Sequence, residues 1–298
     1  MAQNLYTHQD QNVRRTWLLM TVIFVLLIGL GWVFSQVYQD PTILYVFAAV
    51  SIVGNITAYW YSDKVALAVS GARPVSREEN VRLYRIVENL CITAGLPLPR
   101  LYILPGMQIN AFATGRNAQH AAIAVTQGAL ERLDDNELTG VLAHELSHVG
   151  NRDILISTAV VVLAGLIAGL ANVFLRISMF GGRQRDNRDG GGILFVLAAV
   201  SAILAPIAAT LIQLAVSRKR EYLADASGAL LTRYPEGLAS ALEKIRIDQA
   251  PLPRASNATA HLYLANPFRG REGSSWFTRL FMTHPPLEDR IRILRGME

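Results

Sequence analysis

Hydrophobic and polar positions divide the chain into blocks of different character. Thr16 to Val37 and Thr42 to Tyr61 contain no charged residue, and each run, as a helix, is long enough to cross a bilayer core of about 30 Å. Two more charge-free runs lie at Ile154 to Leu175 and Ile193 to Val216, separated by a polar, glycine-rich connection. The pattern predicts four transmembrane helices. Arg14 and Arg15 precede the first run, and Asp40 carries the only charge between it and the second. The positive-inside preference therefore places the N-terminus in the cytoplasm. Trp17, Trp32, Tyr38, Trp60 and Tyr61 fall near the ends of these runs, where amphipathic rings favour the interface. If the third and fourth runs both cross, the chain after Val216 returns to the side that holds residues 63–153, and Arg218, Lys219 and Arg220 suit that boundary. Their connection carries Arg176, Arg183, Arg185 and Arg188, which is basic for an outside loop. A hairpin packed against protein is the competing reading.

Between the second and third runs the pattern becomes that of a water-soluble unit. Ser76-Arg77-Glu78-Glu79 has the form of a capping box, and Leu83, Ile86, Val87 and Leu90 follow at helical spacing. Leu101 to Leu104 and Ala121 to Thr126 read as short strands with turn signals between them. Asp134 and Glu137 suit the start of a further helix. The expected architecture is mainly α with a small β-sheet, in four segments: a transmembrane pair in 1–62, the first part of a catalytic unit in 63–153, an apolar hairpin in 154–216, and the second part of that unit in 217–298.

Composition sharpens this picture. Of 298 residues, 51% are hydrophobic and 17% charged, below the quarter usual for soluble chains. The net charge of +5 is not arranged as a basic stripe interleaved with aromatics, so a lipid bilayer explains it and nucleic acid is not expected as a partner. Cys91 is the single cysteine, which rules out an intramolecular disulfide, and its apolar helical setting predicts a buried structural thiol. A transporter working through intramembrane charges is disfavoured, since the runs have no ionisable residue inside them.

The chemistry is concentrated in His144-Glu145-Leu146-Ser147-His148. Residues four apart share a helix face, so both imidazoles can reach one ion, while Glu145 is offset and free to act on water. This is the spacing of metalloproteases, with His144 and His148 as metal ligands and Glu145 as general base. A surface helix with two solvated histidines is the bland alternative. The apolar flanks Val141-Leu142-Ala143 and Leu146 argue against it, because unpaired polar groups in a buried helix are costly. A catalytic zinc site needs a third protein ligand. Glu221 supplies one, and Asp225, one turn on, is placed to hold the outer nitrogen of a ligand histidine. His148 lies just before the third apolar run and Glu221 just after the fourth, so a hairpin with both ends at one membrane face brings them together. One Zn2+ per chain is the expected cofactor.

These motifs, Val141 to His148 and Arg220-Glu221 with Ala224-Asp225, resemble the HtpX heat-shock protease family, which is related to the CAAX prenyl endopeptidases and the Oma-type mitochondrial proteases. Asn110 to Gly115 and Thr283 to Arg290 extend the likeness, which runs over nearly the whole chain. The resemblance implies a gluzincin-like domain facing the cytoplasm of a bacterial inner membrane, both termini on that side, cutting misfolded or damaged membrane proteins under stress. It implies substrate contact at Asn110 and Ala111, in a segment beside the edge strand to which a substrate backbone can add; an ordinary turn between strands is the alternative. It also implies an oxyanion-steadying role for His284 and a brace between Arg290 and Asp225. Only four apolar runs are present, so the large chamber of the prenyl endopeptidases is not expected. A non-catalytic zinc-containing membrane chaperone or binding protein is the alternative function. The natural substrate and oligomeric state have no signal in the sequence.

Overall fold

The computed structural model describes residues 5–180, 217–256, 258–268 and 285–297, with isolated positions between 200 and 210. Three described helices are long and apolar enough to cross a membrane: α1 (Leu5–Tyr38), α2 (Thr42–Trp60) and α7 (Asp153–Phe180). Most of the fourth expected span, Ile193 to Val216, lies outside the described residues.

The three helices pack as a membrane bundle should. On α1, Leu19, Ile23 and Leu27 are buried while Leu18, Val22 and Val25 face outward. On α2 the buried positions are the small residues Ser51, Gly54 and Ala58. Apolar side chains gain nothing by leaving lipid for one another, so helix contact in a bilayer depends on small residues that let backbones approach. Phe34, Phe47 and Phe174 tie the three helices together, with the Phe34 and Phe174 rings 5.3 Å apart.

Beyond the bundle, α3 (Ser62–Ser70) leads to a four-stranded sheet of β1 (Arg73–Pro74), β2 (Arg100–Leu104), β3 (Ala111–Thr114) and β4 (Ala122–Thr126), in the order β1-β2-β4-β3. β2 and β4 run parallel, with Leu101 opposite Ile123, and β3 is antiparallel to β4 at the edge. The expected strands are present, together with β3 in the segment that precedes Gly115. The helix expected after Ser76 is α4 (Val81–Ala94), but its cap is Asn80, whose side chain accepts from the Leu83 N–H. Ser76 and Glu79 do exchange hydrogen bonds, in the turn before the helix. The helix proper begins at Val81, and Leu83, Ile86, Val87 and Leu90 form its buried face as their spacing predicts.

After the short α5 (Gln127–Arg132) comes α6 (Asp135–Gly150), closed at its start by the reciprocal Asp134–Glu137 capping box. It runs through the middle of the unit and is buried from Glu137 to Ser147 apart from Thr139. Sheet and α4 cover part of it; α8 (Arg218–Thr232), α9 (Pro235–Ile247) and α10 (Leu287–Arg295) enclose the rest. One hydrophobic core thus takes residues from two remote stretches of the chain, from Val75 to Ile154 and from Ala229 to Leu294. Cys91 is buried in it, and burial pushes its thiol up to about 11.

Candidate metal centre

Two helices build the site, and each contributes through its spacing. On α6, His144 and His148 lie one turn apart, with Nε2 atoms 3.2 Å from each other. On α8 the buried residues Glu221, Ala224, Asp225 and Gly228 recur at helical spacing and form the face turned to α6. Gly228 makes the approach possible: a Cβ there would lie 3.1 Å from the His144 backbone nitrogen. Glu221 consequently stands 3.8 Å from His144 Nε2 and 3.6 Å from His148 Nε2.

These separations fit a metal ion. Bonds of about 2.0–2.1 Å in tetrahedral geometry put donor atoms roughly 3.3 Å apart. The donor atoms of His144, His148 and Glu221 all lie within 4.8 Å of one another, with the two nitrogens close to the ideal spacing. Two imidazoles and one carboxylate form a donor set that suits zinc and leaves a fourth position open.

Each histidine is oriented from behind by a carboxylate. His144 Nδ1 is 2.8 Å from Asp225 Oδ1, and His148 Nδ1 is 3.1 Å from Asp153 Oδ2. Such contacts fix the tautomer and direct Nε2 into the space shared with Glu221. Asp225 is in turn held by Arg290, whose guanidinium donates at 2.8 and 2.6 Å to its two oxygens and is fully buried. Burial works to raise the Asp225 carboxyl, but Arg290 and the hydrogen bond with His144 outweigh it and set its pKa at about 2. The same burial drives His144 toward its neutral, ligand-competent form. His148 goes the other way: burial lowers it, but Asp153 and Glu221 raise it to about 9 without a metal ion, so binding an ion displaces a proton.

Glu145 is 2% exposed and borders the same cleft. Burial, with Glu221 adding to it against His148, lifts its carboxyl to about 7. A backbone hydrogen bond from Ala113 ties it to the edge strand β3. The cleft holds about 30 Å³ and is lined by the site residues, Ala113 and the segment from His261 to Leu264. Of that segment the sequence alone singles out only His261, as a candidate fourth ligand of a closed site. The segment is placed by Leu264, whose N–H donates to the Ala111 carbonyl at 3.0 Å, and by Tyr263, whose ring meets Phe112 edge-on. Asn110 is buried, its amide donating to the Ala265 and Gln108 oxygens. Asn110 and Ala111 therefore bind the chain's own backbone here. His284 lies outside the described residues.

Asp153 is a further residue of the site that no motif in the sequence marks. A carboxylate at the start of an apolar run reads as a boundary residue, and only its position five after His148 hinted at more.

A His-Glu-x-x-His helix meeting a distant carboxylate, on a scaffold with membrane-spanning helices, defines a membrane-bound metallopeptidase. The profile of peptidase family M48 matches residues 77–298, and the chain belongs to that family. It is similar to proteins named protease HtpX homolog from several organisms. The one from Thermoanaerobacter pseudethanolicus is 44% identical over 300 residues, covering 99% of this chain and 98% of the relative. That from Pyrococcus furiosus is 48% identical over 283 residues, covering 94% of each. That from Syntrophobacter fumaroxidans is 46% identical over 287 residues, covering 95% of this chain and 98% of the relative. The crystal structure of S. mikatae Ste24p has a similar fold, with a TM-score of 0.50 at 18% identity, covering 97% of this chain and 66% of that one.

Proposed function

We propose that this metallopeptidase is a zinc-dependent endopeptidase acting on misfolded or damaged membrane proteins, in the manner implied by its HtpX relatives. The observation that carries the reading is the triangle of His144, His148 and Glu221 with Glu145 beside it in one cleft. A divalent cation held there supplies Lewis-acid polarisation of a scissile carbonyl and makes water acidic enough to attack near neutral pH. Glu145 accepts the proton of the attacking water and returns it to the leaving amine. Burial raises its carboxyl above the ordinary range, the direction that suits a group which must both take and give a proton near neutrality.

Substrate enters as an extended backbone beside β3. The edge at Ala111 is taken by Leu264, so pairing occurs further along, around Ala113, whose backbone already reaches Glu145. Asn110 and Ala111 serve this site by holding the Leu264–Ala265 wall. His284 is retained as the candidate for steadying the oxyanion. The 63–153 and 217–298 segments make up one catalytic unit of gluzincin type, and the 154–216 hairpin completes four spans. Arg14, Arg15 and the Arg218–Arg220 run support a cytoplasmic position for this unit and both termini, at a bacterial inner membrane.

The test is turnover of an unfolded membrane-protein substrate by the purified full chain and by Glu145→Gln. The variant should keep about one zinc per chain and lose at least roughly a hundredfold in rate, the usual contribution of a general base. Wild-type rates in the variant would refute the mechanism. Zinc retention with no cleavage by wild type would indicate a binding protein instead.

A further inference from the structure

Asn12 lies on α1, ahead of its apolar stretch, and is 4% exposed. Its side chain is fully engaged, and with residues of the metal centre. Asn12 Nδ2 donates to Asp153 Oδ1 at 2.7 Å and approaches the Asn151 carbonyl at 3.3 Å. Its Oδ1 accepts from Arg220 Nη1 at 3.3 Å. The other oxygen of Asp153 is the one beside His148 Nδ1. Arg220 directly precedes Glu221 and also approaches Asp153, at 3.8 Å.

A carboxylate that orients a ligand histidine must itself be held, because its two oxygens can rotate about the side-chain bonds. Asn12 fixes one oxygen of Asp153, leaving the other aimed at the imidazole. The same amide bridges to the helix that carries Glu221. It thus stands where the supports of two ligands, from helices α6 and α8, converge.

We propose that Asn12 is a positioning residue for the metal centre, through which the first membrane helix fixes Asp153 and so the orientation of His148. The inference rests on the zinc reading above. It gives α1 a role beyond anchoring: the ligand geometry depends on how this helix is seated against the start of α7.

The experiment compares the full-length chain in detergent micelles as wild type, Asn12→Leu, Asp153→Asn and the double variant. Leucine has the same branched outline as asparagine, without its polar atoms, and suits an apolar helix. Zinc affinity is measured by competition with a chromogenic chelator, cobalt(II) absorption reports ligand geometry, and thermal unfolding of the metal-free protein reports folding. Zinc binding by Asn12→Leu should weaken roughly tenfold to a hundredfold, the range found when partners behind metal ligands are removed. The cobalt spectrum should change. The double variant should bind zinc no more weakly than Asp153→Asn alone, since Asn12 acts through that carboxylate. If Asn12→Leu does not accumulate, Asn12→Asp serves, because it keeps the shape and the acceptor toward Arg220 but loses the donor, and the same loss is expected. Unchanged zinc affinity and spectrum in whichever variant folds, or losses that simply add in the double variant, would overturn the proposal. Failure of the wild type to bind zinc would refute the zinc reading instead, and the two outcomes are distinct.

Discussion

At the scale of single residues, the site is governed by which charges are buried together. Arg290, Asp225 and His144 are each at most 1% exposed and in mutual contact. Removing one partner of such a group leaves an uncompensated charge, at a cost of about 3–5 kcal/mol. Arg290→Leu should therefore lower stability by that order, measured by chemical unfolding in micelles, and an effect below about 1 kcal/mol would contradict the account. The pair also predicts an acid limb. The folded carboxyl of Asp225 titrates at about 2 against an ordinary 3.8, so its contribution is present above about pH 4 and is lost as the pH falls through 2. The difference is on the order of a few kcal/mol. Unfolding midpoints measured between pH 5 and 2 should fall less steeply for Asp225→Asn than for wild type.

At the scale of elements, the site depends on how closely α6 is approached. Gly140 faces α9, and a Cβ there would lie 2.5 Å from the Leu238 backbone nitrogen. No side-chain rotation relieves a backbone clash, so Gly140→Ala must push α9 away from α6. A loss of about 1–3 kcal/mol is expected, read from the shift in unfolding midpoint. A stability unchanged from wild type would mean the helices are less tightly seated than described. Legibility also differed from element to element. The metal helix could be read completely, from its Asp134–Glu137 start to its two histidines, because a capping box and a four-residue repeat are local geometry. The start of α4 is not legible, because Ser76–Glu79 and Asn80 both offer good caps and a local pattern does not choose between them.

At the scale of the whole molecule, membrane bundle and catalytic unit share a boundary that contains the metal centre. His148 lies in the last turn of α6, Asp153 starts α7, and Asn12 reaches across from α1. The bound ion should therefore stabilise the whole unit: a ligand present at a thousand times its Kd adds about 4 kcal/mol to the folded state. A chelator should abolish peptide cleavage and lower the thermal midpoint, and added zinc should restore both. A midpoint indifferent to chelation would contradict a metal that links two helices.

What the sequence determined by itself was chemistry set by short spacing: apolar runs of membrane length, a histidine pair one helical turn apart, and a carboxylate pair on a second helix. Helix geometry makes those relations independent of the remainder of the fold. Only the tertiary structure decided that Asp153 holds His148, that Asn12 holds Asp153 from 141 positions away, and that Asn110 is spent on the chain's own Ala265. Contacts between remote segments depend on how helices seat against one another, and that seating is set by small buried residues such as Gly140 and Gly228, whose role no local pattern announces.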